Sequence, residues 1–279
     1  MTAATHDSTS TSSSANAPTK VALHGATGRM GRTIARICLD SPAFELVGAA
    51  ARSDDPALDH DMGILVGLPN AGVAVGADVS GALLGADVAI DFSLAPAVEG
   101  FVAAAVAQGV AIVSGTTGLD ERQLASLERA SKTVPVLWAR NMSLGVQVLA
   151  ELVTEAVRKL GPGYDVEVVE VHHHHKVDCP SGTALRLADA ARQARPELED
   201  TCSRVGQVGA RKANELGVFG LRGGDVIGDH TVHLMGLGER LELTHRATSR
   251  EVFAHGAVRA AAWIKGKPPG MYTIADVVR

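Results

Sequence analysis

Cysteine is scarce in this chain. Cys38, Cys179 and Cys202 are the three among 279 residues, odd in number and widely spaced, which excludes a disulfide framework and a zinc-ribbon spacing and suits a reducing cytosol. Cys179 stands beside other ionisable residues as either a nucleophile or a small buried residue, and no acyl-transfer motif accompanies it. A charge excess of either sign is also missing. A formal net charge of -5 and a pI near 6.1 exclude nonspecific nucleic-acid binding and leave room for a local basic pocket. Residues 1–19 hold no arginine and no apolar core stretch, so they are neither a secretory signal nor a membrane span, and they lack the arginines of a transit peptide. Rich in Ser, Thr and Ala, they are expected to form a disordered tail.

What the chain does have is apolar material. At 46% hydrophobic and 20% charged residues it can bury a substantial core, as one large or two ordinary domains. Strand and helix patterns alternate from Val21 to Leu160. Strands are expected at Val21–His24, Phe44–Ala49, Val88–Phe92, Val110–Val113 and Val134–Trp138, and helices at 32–39, 97–108 and 144–160, while residues 54–80 stay unordered by pattern. That alternation predicts an α/β fold, a parallel sheet with helices on both faces and ligands outside the carboxyl ends of its strands. Gly161-Pro162 then hands the chain to a second domain. There a strand at 164–171 and a helix at 184–194 precede strand-like runs around Val218–Leu221, Asp225–Leu234 and Arg240–His245, read as an antiparallel meander. His230, His233 and His245 alternate with apolar neighbours there and are expected to be structural or solvated. The helix of residues 250–265 and the tail to Arg279 are expected to return to the first domain.

The first candidate site follows the first strand. Gly25-Ala26-Thr27-Gly28-Arg29-Met30-Gly31 joins strand to helix, where glycines permit a tight turn and a helix N-terminus stabilises a pyrophosphate. The spacing is G-x-x-G-x-x-G, so a glycine turn without ligand is the alternative. After the second strand the chain reads Ala50-Ala51-Arg52-Ser53. A basic residue there suits the extra phosphate of NADP, whereas an exposed surface arginine is the bland reading. Gly115, Thr116, Thr117 and the loop Ala139-Arg140-Asn141-Met142 fall at later strand ends, placed to touch nicotinamide or ribose.

The densest chemistry lies in Glu170-Val-His-His-His-His-Lys-Val-Asp-Cys-Pro-Ser-Gly-Thr-Ala184. If the strand continues extended, His172 and His174 face one way and His173 and His175 the other, so all four cannot grip one metal ion. A polar strand edge with solvated imidazoles is the bland reading. The functional reading is an anion pocket with a proton donor: imidazoles titrate near neutrality, Lys176 donates to carboxylate, and Ser181 caps a helix whose first N–H groups, at Gly182, Thr183 and Ala184, favour anions. An NADP-sensing binding protein and a zinc enzyme built on the histidine run are the rival classes.

From about Val21 to the C-terminus the sequence resembles the dihydrodipicolinate reductase family. The resemblance rests on the glycine turn, Ser114-Gly-Thr-Thr-Gly118, Asn141-Met-Ser-Leu-Gly145, the Glu170–Thr183 signature and Gly256-Ala-Val-Arg259. It implies an NAD(P)H-dependent reductase of a cyclic dicarboxylate, with a Rossmann-type doubly wound domain (residues 20–142 with 254–279) and a mixed-sheet substrate domain (143–253) that builds a homotetramer. It also implies His172 as proton donor, His173 as a substrate contact, Lys176 as a second donor, and Gly182 and Thr183 on a substrate carboxylate. Gly25 to Met30, Arg52, Gly115 to Thr117 and Ala139 to Met142 fall on the cofactor contacts. No metal is expected, and the cofactor is expected to be NADPH, with NADH the alternative. Three positions depart from the family's habit. Ala51 stands where some members carry an acid, which favours NADPH; Cys179 replaces an alanine; and Arg140 is an uncommon residue in its loop.

Overall fold

The structure is a computed structural model that describes residues 17–279. Most of the expected N-terminal tail therefore lies outside the described residues. The first strand, β1 (Thr19–His24), begins two residues before Val21. Thr19 pairs with Phe44 and its N–H reaches Ala43 O at 2.9 Å, which removes it from the tail.

The chain continues through α1 (Arg29–Leu39) and β2 (Phe44–Ala50) into the stretch without legible pattern. That stretch holds α2 (Met62–Leu65), β3 (Val75–Gly76) and α3 (Val79–Ala82), all shorter than the window in which a periodicity can show. Polar capping organises it instead: the Asp61 carboxylate accepts from the N–H groups of Ile64, Ala71 and Val73 at 3.2, 2.9 and 2.9 Å. Next come β4 (Val88–Asp91), α4 (Val98–Gln108), β5 (Ala111–Ser114), α5 (Glu121–Ala130) and β6 (Pro135–Trp138). The α5 helix has no long apolar stripe, but Asp120 and Gln123 close a reciprocal capping box at its start. Ser143 caps α6 (Leu144–Leu160), which leads into the second lobe.

Seven strands form one sheet in the order β12-β6-β5-β4-β1-β2-β3, every pairing parallel, with β12 (Gly270–Tyr272) supplied by the C-terminus. Successive strand residues serve opposite faces. Val21, Leu23, Ile90, Val113 and Leu137 pack on α1 and on α8 (Glu251–Ile264), while Ala22, Ala89, Ile112 and Val136 pack on Phe101 and Leu127 of the other face. Burying a side chain such as Phe101, 0% exposed, contributes about 2 to 3 kcal/mol. The order reverses direction around β1, so a crevice opens beyond the carboxyl ends of β1 and β4.

The second lobe holds β7 (Asp165–His172), α7 (Gly182–Ala194), β8 (Glu199–Thr201), β9 (Glu215–Arg222), β10 (Gly228–Gly236) and β11 (Glu239–Ala247). Its order is β11-β10-β7-β9-β8, which corrects the meander. Only β10 and β11 form a hairpin; β7 inserts between β9 and β10, parallel to the first and antiparallel to the second. The reason is burial: Val166 and Val168 of β7 share one apolar cluster with Leu216 and Val218 of β9 and Val232 and Leu234 of β10 under α6 and α7. The sheet is mixed. After β11 the chain returns through α8, β12 and α9 (Ile274–Val278) to the first sheet.

Candidate active site

At the end of β1 the backbone turns at Gly25, whose φ of +76° favours glycine, and any Cβ there would lie 2.6 Å from Phe92 O. Gly28 is the N-cap of α1 and contributes no side-chain cap, so the first-turn N–H groups of Arg29 and Met30 face the crevice uncapped. A bare helix terminus behind a side-chain-free turn is what a pyrophosphate requires, and the turn fits a dinucleotide on that ground. Thr27 Oγ1 donates to Asp55 at 2.6 Å, drawing the loop after β2 over the turn and holding the Asp55 carboxyl below its usual range. Arg52 on that loop is exposed, and its Nε lies 3.6 Å from Asp54 Oδ1, beyond a good hydrogen bond. Its guanidinium is available to an anion.

The floor of the crevice is a polar chain linking four strand ends. Asp91, 0% exposed, accepts from His24 Nδ1 at 2.9 Å, Ser114 Oγ at 2.7 Å, Thr116 Oγ1 at 2.8 Å and Ser93 N–H at 3.1 Å. Burial opposes its ionisation, but these donors outweigh burial and hold the carboxyl below the ordinary range. Thr116 O in turn accepts from Trp138 Nε1 at 3.0 Å, and Arg140 lies over the Trp138 ring. Gly115 and Thr117 flank the buried Thr116. Sequence patterns did not single out Asp91, because an acid closing an apolar strand looks like a strand end.

Behind the loop after β6, Gly256 of α8 allows a close approach: a Cβ there would fall 1.8 Å from Met142 O. That contact explains the glycine of the Gly256–Arg259 motif. It seats the loop Ala139–Met142 on α8.

The histidine run departs from an extended strand. β7 ends at His172, and His174 and His175 form a turn with ring centroids 3.8 Å apart, so the alternation of faces stops after the first histidine. The cause is hydrogen bonding to the segment between β9 and β10: His173 N–H reaches Val226 O at 2.7 Å and His174 Nδ1 reaches Gly224 O at 3.0 Å. His172 is buried, its Nδ1 2.5 Å from Glu170 Oε2. Lys176 Nζ donates to Asp178 at 2.7 Å. His173 Nε2 meets Arg250 at 3.2 Å; desolvation, then the nearby cations Arg250 and Lys176, push its pKa down. Cys179 is exposed, which removes the reading of it as a small buried residue. Among the described residues no three His, Cys, Asp or Glu side chains are grouped to hold a metal ion.

Ser181 Oγ caps α7 by accepting from Ala184 N–H at 3.2 Å, leaving the N–H groups of Gly182 and Thr183 at the open helix start. The same hydroxyl meets His230 Nε2 at 3.1 Å. His230 stands edge-on to His172 at 5.1 Å between centroids, and burial pushes its pKa down to about 4. His230 was expected to be structural or solvated; it is buried, against the donor cluster. The lobes meet here: Asn141 Nδ2 donates to Thr183 Oγ1 at 3.0 Å. Through that bond the loop after β6 adjoins the His172 to Thr183 turn, in one cleft.

A parallel nucleotide-binding sheet with an imidazole, ammonium and helix-start cluster facing its crevice defines a two-lobed NAD(P)H-dependent oxidoreductase. Family models described as dihydrodipicolinate reductase, N-terminus and C-terminus, match residues 19–142 and 145–278. The chain is 50% identical over 263 residues to the 4-hydroxy-tetrahydrodipicolinate reductase of Anaeromyxobacter dehalogenans, covering 93% of this chain and 97% of that protein. It is 46% identical to the one of Myxococcus xanthus, with 93% and 97% covered. A solved dipicolinate-bound dihydrodipicolinate reductase from Paenisporosarcina sp. TG-14 shares the fold at a TM-score of 0.73 and 22% identity, over 92% of this chain and 97% of that one. The chain belongs to the dihydrodipicolinate reductase family.

Proposed function

We propose that this chain reduces 4-hydroxy-tetrahydrodipicolinate to tetrahydrodipicolinate with NADPH, in the diaminopimelate route to lysine. The observation that supports the reading is the Asn141 to Thr183 bond, which joins the loop after β6 to the start of α7. The net change is loss of one water and gain of one hydride and one proton; the nicotinamide, when bound, supplies the hydride. Residues 20–142 with 254–279 serve the cofactor and 143–253 the substrate.

Each side chain has a role its chemistry supports. The N–H groups of Gly182 and Thr183 hold one substrate carboxylate at the start of α7. His173 and Lys176 hold the other, Lys176 exchanging its Asp178 partner for the substrate and acting as a second donor. His172 delivers the proton to the carbon beside the one that receives hydride. In the crevice, Gly25, Ala26, Thr27, Gly28, Arg29 and Met30 take the pyrophosphate, Arg52 the phosphate that distinguishes NADPH from NADH, and Gly115 to Thr117 with Ala139 to Met142 the nicotinamide half. The exposed guanidinium of Arg52 supports NADPH preference, since a free fork of donors suits a phosphate.

The edge strand β11, whose Leu243 and Thr244 line a groove with the exposed Val148 and Leu152 of α6, supports a homotetramer built through this lobe. Three free thiols support a cytoplasmic setting, and no helix among the described residues is long and apolar enough to cross a membrane. The decisive assay follows nicotinamide absorbance with freshly generated substrate and each nicotinamide in turn, for the wild type and His172→Gln. Loss of the proton donor lowers turnover about 100-fold or more with NADPH affinity retained; equal turnover rejects the role given to His172.

A further inference from the structure

Glu170 has no place in the mechanism above, yet it is 0% exposed at the centre of the donor cluster. It lies two residues before His172 on β7, on the same face of the strand. Its Oε2 meets His172 Nδ1 at 2.5 Å and Arg222 NH1 at 2.8 Å; its Oε1 meets Arg222 NH2 at 2.7 Å and Ser181 N–H at 3.0 Å. Arg222 ends β9 directly opposite His172 in the ladder, and its NH2 also donates to Asp178 O at 2.5 Å. One carboxylate thus touches the imidazole, the cap of α7 and, through Arg222, the turn between them.

Burial alone would favour a neutral Glu170. The bidentate Arg222 fork, the imidazole and the Ser181 N–H outweigh it, and the carboxyl is held below its ordinary range. An ionised carboxylate can only accept, so Nδ1 of His172 must be the N–H nitrogen. Nε2 is then the nitrogen that loads and releases a proton. Nε2 has no hydrogen-bond partner among the described residues, and glycine at position 228 of β10 leaves room beside it, since a Cβ there would sit 2.9 Å away.

Resting on the reading of His172 as proton donor, we propose that Glu170 is its positioning residue, fixing the tautomer and ring direction, with Arg222 holding the Glu170 carboxylate in place. The other charged and titratable groups around the ring are His230 on β10, with His245 of β11 paired beyond it, His173 and Lys176 in the turn, the latter paired to Asp178, and Arg250 beyond His173. Glu170 is the anion in contact with the ring; Arg222 and Lys176 are the nearby cations.

The test is kcat and KM for wild type, Glu170→Gln, His172→Gln, the double variant and Arg222→Gln, with 4-hydroxy-tetrahydrodipicolinate and NADPH. In Glu170→Gln kcat drops about 10-fold or more, while KM for the dicarboxylate and for NADPH changes by less than about threefold. In Arg222→Gln, where buried Glu170 loses the fork that keeps it ionised, kcat falls in the same direction with the two KM values as little changed. The double variant is no slower than His172→Gln, because the effect of Glu170 passes through that ring. NADPH affinity and thermal midpoint identify any variant that has merely lost its fold, and Arg222→Gln carries the test if Glu170→Gln is one. An unchanged kcat in the folded variants, or multiplicative losses in the double variant, overturns the proposal. A His172→Gln enzyme with full kcat overturns the reading beneath it instead.

Discussion

Asn141 Nδ2 donates to Thr183 Oγ1 across 3.0 Å, and the same side chain accepts from Ser143 N–H through Oδ1 at 2.8 Å. One amide therefore joins the loop after β6, the start of α6 and the start of α7. Asn141→Ala removes both bonds and uncouples the anion pocket from the nucleotide crevice. The expected result is a rise of about 5- to 10-fold in KM for the dicarboxylate, the loss of roughly one to two hydrogen bonds, with NADPH affinity changed less. Steady-state kinetics for both substrates checks this, and an unchanged dicarboxylate KM would refute the coupling.

Arg52 tests cofactor choice on its own. Its nearest acid, Asp54, is 3.6 Å from Nε, and both side chains are exposed, so truncation leaves no buried charge behind. Arg52→Ala should raise KM for NADPH about 10-fold, the value of one charge-assisted contact, and leave KM for NADH within about twofold. Equal changes for both nicotinamides would assign Arg52 to the shared part of the dinucleotide.

Much of this architecture was legible because it is written in local pattern. The glycine turn, the apolar strands and the stop at Gly161-Pro162 located β1, α1, β2, β4, β5, β6 and α6 closely, and Ser181 located the start of α7. Non-local terms hid the rest. Residues 54–80 are organised by the Asp61 carboxylate rather than by periodicity. The order of the second sheet depends on which strand best buries Val166 and Val168, a comparison no short window contains. In the site, Asp91, Asp55, Glu170 and Arg222 act through partners 23 to 67 residues away or in another strand. Glu170 was visible as the first residue of a signature, but its role needs Arg222 beside it.

Gly256 tests how α8 supports the cofactor loop. A Cβ would fall 1.8 Å from Met142 O, a backbone atom that cannot swing aside, and Met142 itself is 1% exposed. Gly256→Ala must push the Ala139–Met142 loop away from α8. A destabilisation of about 1 to 3 kcal/mol is expected, together with weaker NADPH binding. Urea unfolding and fluorescence titration with NADPH measure the two, and wild-type values for both would show that the loop is not seated by this contact.

His230 makes stability depend on pH. Burial takes its pKa from 6.5 down to about 4, so the fold prefers the neutral ring and the unfolded chain binds the extra proton between those values. Stability from this group is complete above about pH 6.5 and is lost as pH falls toward 4. Between pH 7 and pH 5 the loss amounts to about 2 kcal/mol. His173 and His245, also lowered by burial, act in the same direction, so the measurement must be a difference. Urea unfolding of wild type and His230→Gln at the two pH values isolates it: the variant should lose about 2 kcal/mol less on acidification. Parallel losses in the two proteins would mean that His230 is not held neutral against the His172 ring.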